Sequence, residues 1–589
     1  MKRLSMLGLL ALAVSAVGCV PGQDSPEPGA SPAATTPPED TCDRTVSGAE
    51  PVDTGSLAED ALQLSQETFA CANHVVVTGG ADVDAAVAGA QLAAALHGPL
   101  LLPHPELAPE LERLSPTDLY VVGEADVAAP EGAEVHQLDP AGAVELTAET
   151  LQVTEEVQLP ATPDTTTFAT TLAAIAGQDR VATPATTPPA DDESPGPEAT
   201  PTTEQTSVTA EAAALDIDLG EVIAEIPDPA EPEMVWLVES SDPIAMLALA
   251  PTAAAAESVV VPAYGDDLFR FPELGEPLTG RDEQSIRPIG GIPADADWEL
   301  RVLASEYELP GGGYELFPED TMRRFVAFYG HPDTAGLGAL GQQDGPESTL
   351  ERMQPLLDDY AAGSDIVVPT FNVIATIAHN GGATGRPDEV IEFSQPYYVD
   401  YSTMHPPERF REWVDVAAEV DGYFMMDFQP GRNDFLFQVQ HYEVLLRLPH
   451  VGVALDPEWR LGSNQIHLQQ IGSVTAAEIN TVIEWLADLV REEGLPPKLL
   501  LIQQFRLDMI QDRDDIVDRD EVEVVIQMDG EGQGGLGVKD ETWRVITAGT
   551  EDAHWHWGWK NFFERDTPGP NSPEDTMSKE PAPVYVSYQ

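Results

Sequence analysis

The feature that most constrains the fold of this chain is a recurrence in its C-terminal half. Phe325 to Gly330, Ile366 to Phe371, Gly422 to Phe428, Val451 to Asp456, Leu499 to Phe505, Val522 to Met528, His554 to Phe563 and Val584 to Tyr588 are eight short apolar runs, each read as a strand. Helical periodicity fills several of the intervals, at Glu408 to Glu419, Arg432 to Leu448 and Ala476 to Glu493. Eight strands alternating with helices over roughly 270 residues predict a (β/α)8 barrel. It would occupy 317–589, with its last strand at the end of the sequence and the eighth helix absent.

In such barrels the chemistry sits where the strands end, at the C-terminal rim. Polar residues gather there: His331, Asn372, Asp427 with Gln429, Asp456 with Glu458, Gln503, Gln527 with Asp529, and Lys560. Successive side chains of a strand point to opposite faces, so in Gly452-Val453-Ala454-Leu455-Asp456-Pro457-Glu458 the small and acidic residues share one face. Asp456 and Glu458 therefore both aim into the mouth. Two such carboxylates suit glycoside chemistry, one kept protonated to donate to the leaving oxygen and the other charged. The opposing expectation is a salt-bridged or capping pair at a strand end. Trp555, Trp557 and Trp559 share one face of the seventh strand and are read as packing on outer helices, opposite His554, His556 and Lys560.

The N-terminal half holds a different α/β pattern. Val75-Val76-Val77-Thr78 closes on Gly79-Gly80, an Ala-rich helix runs from Ala81 to Leu96, Leu100 to Leu102 is a second strand, and a further helix leads to a third at Leu119 to Val122. The order βαβαβ makes the sheet parallel. This unit spans 51–159. A degenerate copy covers 233–310, with strands at Val235 to Val238, Ser258 to Val261 and Ile286 to Ile289. Between them, 160–232 is acidic and rich in Pro and Thr, a composition that buries too little apolar surface to offset the entropy of ordering.

Charge excludes one class of function. With 102 Asp plus Glu against 28 Lys plus Arg, the net charge of −74 repels a phosphate backbone, so nucleic acid is not a partner. After Lys2 the next lysine is Lys498. A strongly acidic, lysine-poor surface fits a halophilic habitat, where salt screens the self-repulsion.

Residues 1–19 read as a secretory signal, with Lys2 and Arg3 before an apolar run from Leu7 to Val17 that is too short to span a bilayer. Ala16-Val17-Gly18-Cys19 resembles a bacterial lipobox, which implies lipidation of Cys19 and a lipid anchor in the cell membrane, with the Pro-rich stretch 20–50 as a disordered tether. Cys42 and Cys71 then lie outside the cytoplasm, where they either pair or remain as buried thiols.

Residues 55 to 140, and more weakly 233 to 305, resemble the bacterial cell-wall-binding repeat type 2, which pairs a strand and Gly with an Asp-Ala helix start, a Gly-Pro turn and a terminal Val-Gly-Gly. That resemblance implies attachment to cell-wall glycan or peptidoglycan; the alternative is a structural spacer. The stretch Gly452 to Trp459 resembles the fourth-strand motif of chitinase-like hydrolases, with Ala454 in place of an outer Asp. Met528-Asp529 matches that family's sixth strand loosely. The resemblance implies Glu458 as acid and Asp456 as the group orienting the substrate's acetamido arm.

The combined expectation is an extracytoplasmic, membrane-anchored and wall-associated protein with a sugar-active barrel. Its catalytic candidates are Glu458, Asp456, Asp427 and Asp529. Its substrate-binding candidates are His331, Gln429, Trp459, Gln503, Gln527 and Lys560. No cofactor and no metal is called for. Two alternatives stand beside it: a non-catalytic glycan-binding surface protein, and a metal-dependent hydrolase using His554 and His556.

Overall fold

The computed structural model describes Cys42, Arg44, 50–79, 82–159, most of 171–183, 234–239, 243–263 and 267–589, apart from 272–273, 294–295, 306 and 382–391. The residues read as a signal segment, with Cys19, nearly all of those read as a tether and most of 160–232 lie outside these residues.

The first sheet is parallel, with strands β1 (His74–Thr78), β2 (Leu100–Leu101), β3 (Asp118–Val122) and β4 (Glu134–Leu138) in the order β2-β1-β3-β4. Helix α1 (Leu57–Thr68) precedes it; α2 (Val83–Ala95), α3 (Leu107–Leu114) and α4 (Pro140–Leu151) follow β1, β2 and β4. The Asp82 carboxylate starts α2 by accepting from the Ala85 amide at 3.2 Å, supplying one of the partners a helix N-terminus lacks. Gly89 lets α2 lie against the sheet: a Cβ there would stand 2.4 Å from Thr78 Cγ2. A disulfide joins Cys42 to Cys71, with Cα atoms 5.3 Å apart, just before β1.

The second sheet, also parallel, has β5 (Met234–Glu239), β6 (Ser258–Ala263) and β7 (Ile286–Ile289) in the order β6-β5-β7, with α5 (Pro243–Ala255) between the first two and α6 (Asp297–Ala304) after the third. The repeat reading treats the two sheets as separate units, but they share one core. Val76, Tyr120, Trp236, Val238 and Ile289 belong to a single apolar cluster, with α1 and α2 packed on α5. The result is sheet, helices, sheet. Val52 joins the second sheet rather than the first, bridging Ile289 in parallel, with its amide donating to Pro288 O at 3.1 Å. Arg287, buried, donates to Glu67 of α1 at 2.6 Å and so fastens the same seam. Part of the insert is folded here too: Ala182 N donates to Gln91 Oε1 at 2.7 Å, and Leu172, Ile175 and Val181 enter the shared core.

All eight C-terminal runs form strands: β8 (Arg323–Gly330), β9 (Ile366–Ala378), β10 (Tyr423–Phe428), β11 (Val451–Leu455), β12 (Lys498–Gln504), β13 (Val522–Met528), β14 (His556–Asn561) and β15 (Tyr585–Tyr588). Each pairs in parallel with the next, and β15 pairs with β8, so the barrel closes. Closure leaves no unpaired strand edge within the ring. Alternate residues fill the interior: Phe325, Ala327, Tyr423, Met425, Ala454, Leu499, Leu501 and Val525, with Leu309 and Leu316 closing the N-terminal end. Gly452 belongs to this crowding, because a Cβ there would meet Leu499 O at 2.6 Å.

The other face packs on helices that include α7 (Pro346–Tyr360), α8 (Arg411–Glu419), α9 (Ala476–Glu493) and α10 (Leu536–Ile546). Trp557 and Trp559 lie against Trp543 of α10, with ring centroids 5.7 and 5.5 Å apart. Between β12 and β13 the described residues form no α-helix, only 3-10 turns at Leu507–Met509 and Arg513–Asp515 around a two-residue strand, Ile510–Gln511, that pairs with Val474–Thr475. The N-terminal layers meet the barrel where Trp298 Nε1 donates to Leu495 O at 3.0 Å. No described helix is long and apolar enough to cross a membrane.

Candidate functional site

The apolar filling gives way to polar groups toward the C-terminal ends of the strands. Tyr329 continues the inward face of Phe325 and Ala327, and its hydroxyl donates to Asp427 Oδ1 at 3.2 Å and Asp456 Oδ2 at 3.3 Å. Gln429, just beyond β10, donates from Nε2 to the same Asp456 oxygen at 3.2 Å and accepts from the Ala378 amide at 3.1 Å. Lys560 extends from β14 to Asp529 Oδ1 at 3.2 Å, its ammonium 3.6 Å from the centroid of the Tyr329 ring. Glu458, in the turn Pro457–Trp459 after β11, completes the group: Asp456, Glu458 and Asp529 each present an oxygen within 4.8 Å of the other two.

Four carboxylates around one ammonium cannot all be charged in a buried space. Asp427 and Asp456 share the Tyr329 hydroxyl, whose single proton cannot serve both at full strength. Burial, and then the charge of Asp456, raises Asp427 well above the usual carboxylate range. Asp456 is pushed up to about 6 by burial, with Lys560 pulling it back. Glu458 is raised well above its ordinary value by burial and then by Asp456 and Asp529. Burial raises Asp529 as well, against the pull of Lys560. For Lys560, burial opposes the charge, but the four acids outweigh it and hold the ammonium above the lysine range. Burial and mutual repulsion thus favour the protonated forms of Asp427 and Glu458 most strongly, while Lys560 favours the charged forms of Asp456 and Asp529.

Tyr329, Gln429, Glu458, Asp529 and Lys560 line a cleft of about 910 Å³ whose walls also include Trp459, Leu468, Ile471, Phe505, Phe562 and Arg565, whereas Asp427 and Asp456 are buried and do not line it. Trp459 is held edge-on by His467 at 4.5 Å. Asp456, Glu458 and Asp529 also stand close enough to hold a divalent cation. On Asp529, the Lys560 ammonium occupies part of that role.

The remaining expected residues lie elsewhere or are otherwise engaged. His331 leaves the interior because Gly330 (φ +148) and a close approach to Gly338 turn the chain outward; its ring packs on His405 at 4.5 Å, away from the cleft. Gln527 is spent within the barrel, donating to Ser587 Oγ at 3.0 Å. Gln503, beside it in register, is fully buried with neither amide atom hydrogen-bonded to a described residue. Asn372 accepts from the Tyr585 hydroxyl at 3.1 Å. His556 sits at the start of β14, against Phe317 (4.3 Å) and Glu523 (3.5 Å), at the opposite end of the strand from Lys560. The His-x-His metal arrangement therefore does not meet the rim carboxylates. Tyr329, which ties the two aspartates together, is absent from the sequence-based set, although its spacing from Phe325 and Ala327 places it on the inward face.

No protein-family model matches the chain, and no curated protein matches it. Two solved cell-wall proteins of Clostridium difficile are similar to parts of it. Cwp8 is 14% identical, with 44% of this chain and 52% of that one covered at a TM-score of 0.32. Cwp6 is 12% identical, with 65% and 63% covered at the same TM-score of 0.32. The chain thus spans about half to under two thirds of the length of either protein.

Proposed function

We propose that the barrel is a glycan-active domain that hydrolyses a β-linked amino-sugar polymer of the cell envelope. The observation that carries this reading is the grouping of Asp456, Glu458 and Asp529, each with an oxygen within 4.8 Å of the others, where Glu458 and Asp529 open on an aromatic-lined cleft and burial favours the protonated form of Glu458. A pair of carboxyls with separated proton affinities is what glycosidic cleavage uses.

Glu458 gives its proton to the glycosidic oxygen as the bond from that oxygen to the anomeric carbon breaks. Asp456, held by Tyr329 and Gln429, stabilises the positive charge that develops there, directly or through an acetamido group of the sugar. Water then adds to the anomeric carbon and returns its proton to Glu458. The close spacing supports retention of configuration, since inverting enzymes separate their carboxyls by ~6.5–9.5 Å to admit a water between them. Trp459 offers a face for a sugar ring. Residues 1–19, the tether and the wall-binding-like layers support placement of this activity at the outer face of a membrane.

Glu458→Gln keeps the shape of the side chain and removes the transferable proton. It should abolish release of reducing ends from such a polymer while binding to purified cell wall is kept. Unchanged turnover sinks the assignment; binding by the wild type without any new reducing ends replaces it with a non-catalytic glycan receptor.

A further inference from the structure

We propose that His74, Asp118, Glu134 and His136, on the first sheet, form a binding site for a divalent transition-metal ion of the Zn2+ class. Strand register brings them together. His74 of β1 is level with Asp118 of β3, and Asp118 is level with Glu134 of β4. His136, two residues beyond Glu134, lies on the same face. His74, Asp118 and Glu134 open their strands and His136 is central in β4, all remote in the chain from the barrel rim.

The donor atoms of Asp118, Glu134 and His136 converge, and His74 adjoins Asp118. His136 Nε2 is 2.9 Å from Asp118 Oδ1, and His74 Nδ1 is 3.6 Å from Asp118 Oδ2. Asp118, Glu134 and His136 each offer a ligand atom within 4.8 Å of the others. His74 Nδ1 is shielded from solvent, with no hydrogen bond to a described residue. Supporting contacts hold two of the ligands: His136 stacks on the buried Tyr120 at 4.7 Å, and Thr117 Oγ1 donates to Asp118 Oδ2 at 2.9 Å. Such outer contacts fix ligand orientation in metal sites.

The donor chemistry selects the ion. Two imidazoles with two carboxylates suit Zn2+, Cu2+ or Ni2+, whereas Ca2+ and Mg2+ take oxygen ligands throughout. Of twelve histidines in a chain of charge −74, two converge on one aspartate here. A bound ion would tie the edge strand β4 to β1 across β3.

The test titrates full-length, chelator-stripped protein with ZnCl2 by calorimetry. One saturable equivalent is expected, weakened on the order of tenfold or more in His136→Ala and in Glu134→Gln, and unaffected in His104→Ala. Glu134 is exposed, so its variant reports even if the histidine variant fails to fold. Diffuse, non-saturating binding, or equal affinity in wild type and Glu134→Gln, overturns the proposal and leaves an ion-pair network of Asp118 with two histidines.

Discussion

Lys560→Met removes the positive charge around which the rim carboxylates are arranged while keeping a long, unbranched side chain. The ammonium is buried, 3.2 Å from Asp529 Oδ1. At an effective dielectric constant of ~20, unit charges at that distance attract by about 5 kcal/mol. The orphaned carboxylate need not remain charged, because proton uptake at pH 7.5 costs an ordinary aspartate about 5 kcal/mol. A loss of ~3–5 kcal/mol follows, as for other broken buried pairs.

The pH dependence has a definite sign. The folded-state pKa of Lys560 is raised, so its own contribution is complete below the unfolded lysine value and constant between pH 5 and 7.5. In the variant, folded Asp529 keeps a proton that the unfolded chain has released, so the variant loses about 1.4 kcal/mol of stability relative to wild type for each unit of rising pH. Urea unfolding followed by tryptophan fluorescence suits the measurement, since Trp413 and the six tryptophans after it lie in the barrel half. The gap between variant and wild type should be wide at pH 7.5 and narrow by about 3.4 kcal/mol, to about 1.5 kcal/mol or less, at pH 5. A gap below about 1 kcal/mol at pH 7.5, or one that does not narrow on acidification, refutes the reasoning.

Two further outcomes follow from the same structure. If Asp456 must be charged and Glu458 protonated, kcat/KM on an amino-sugar polymer falls as pH drops through about 6 and falls again at high pH, where Glu458 ionises; a profile still rising at pH 10 contradicts these roles. Replacing Cys42 and Cys71 with serine opens a loop with a sequence separation of 29, for which chain entropy sets a loss of about 3.5 kcal/mol. Hydrogen exchange should then quicken in α1 and β1 and stay unchanged in the barrel; uniform protection across both regions counts against a local role.

The barrel was legible because most of its strands are buried on both sides and so read as near-continuous apolar runs. Asp456 and Glu458 were legible for a related reason: Val453 and Leu455 had to face the helices, which left the acids for the interior. The same parity argument assigns Tyr329 inward, but an aromatic inside a strand reads first as core. His331 illustrates the opposite failure, since a one-residue change of direction at Gly330 cannot be seen in spacing. β4, Glu134-Val135-His136-Gln137-Leu138, escaped because an exposed edge strand has no apolar run to display. Pairing of Val52 with Ile289 joins residues too distant for any local pattern to report.

That last contact governs the order in which the protein can assemble. Arg287 donates to Glu50 O across a separation of 237 residues, so the opening segment of the folded region has no seat until the chain is synthesised past Ile289. At ~5–20 residues per second of synthesis, the wait is on the order of ten to fifty seconds. During it, α1 and α2 expose the faces later covered by α5. A nascent chain halted at residue 232 should therefore be far more sensitive to protease at α1 than one carried to residue 310.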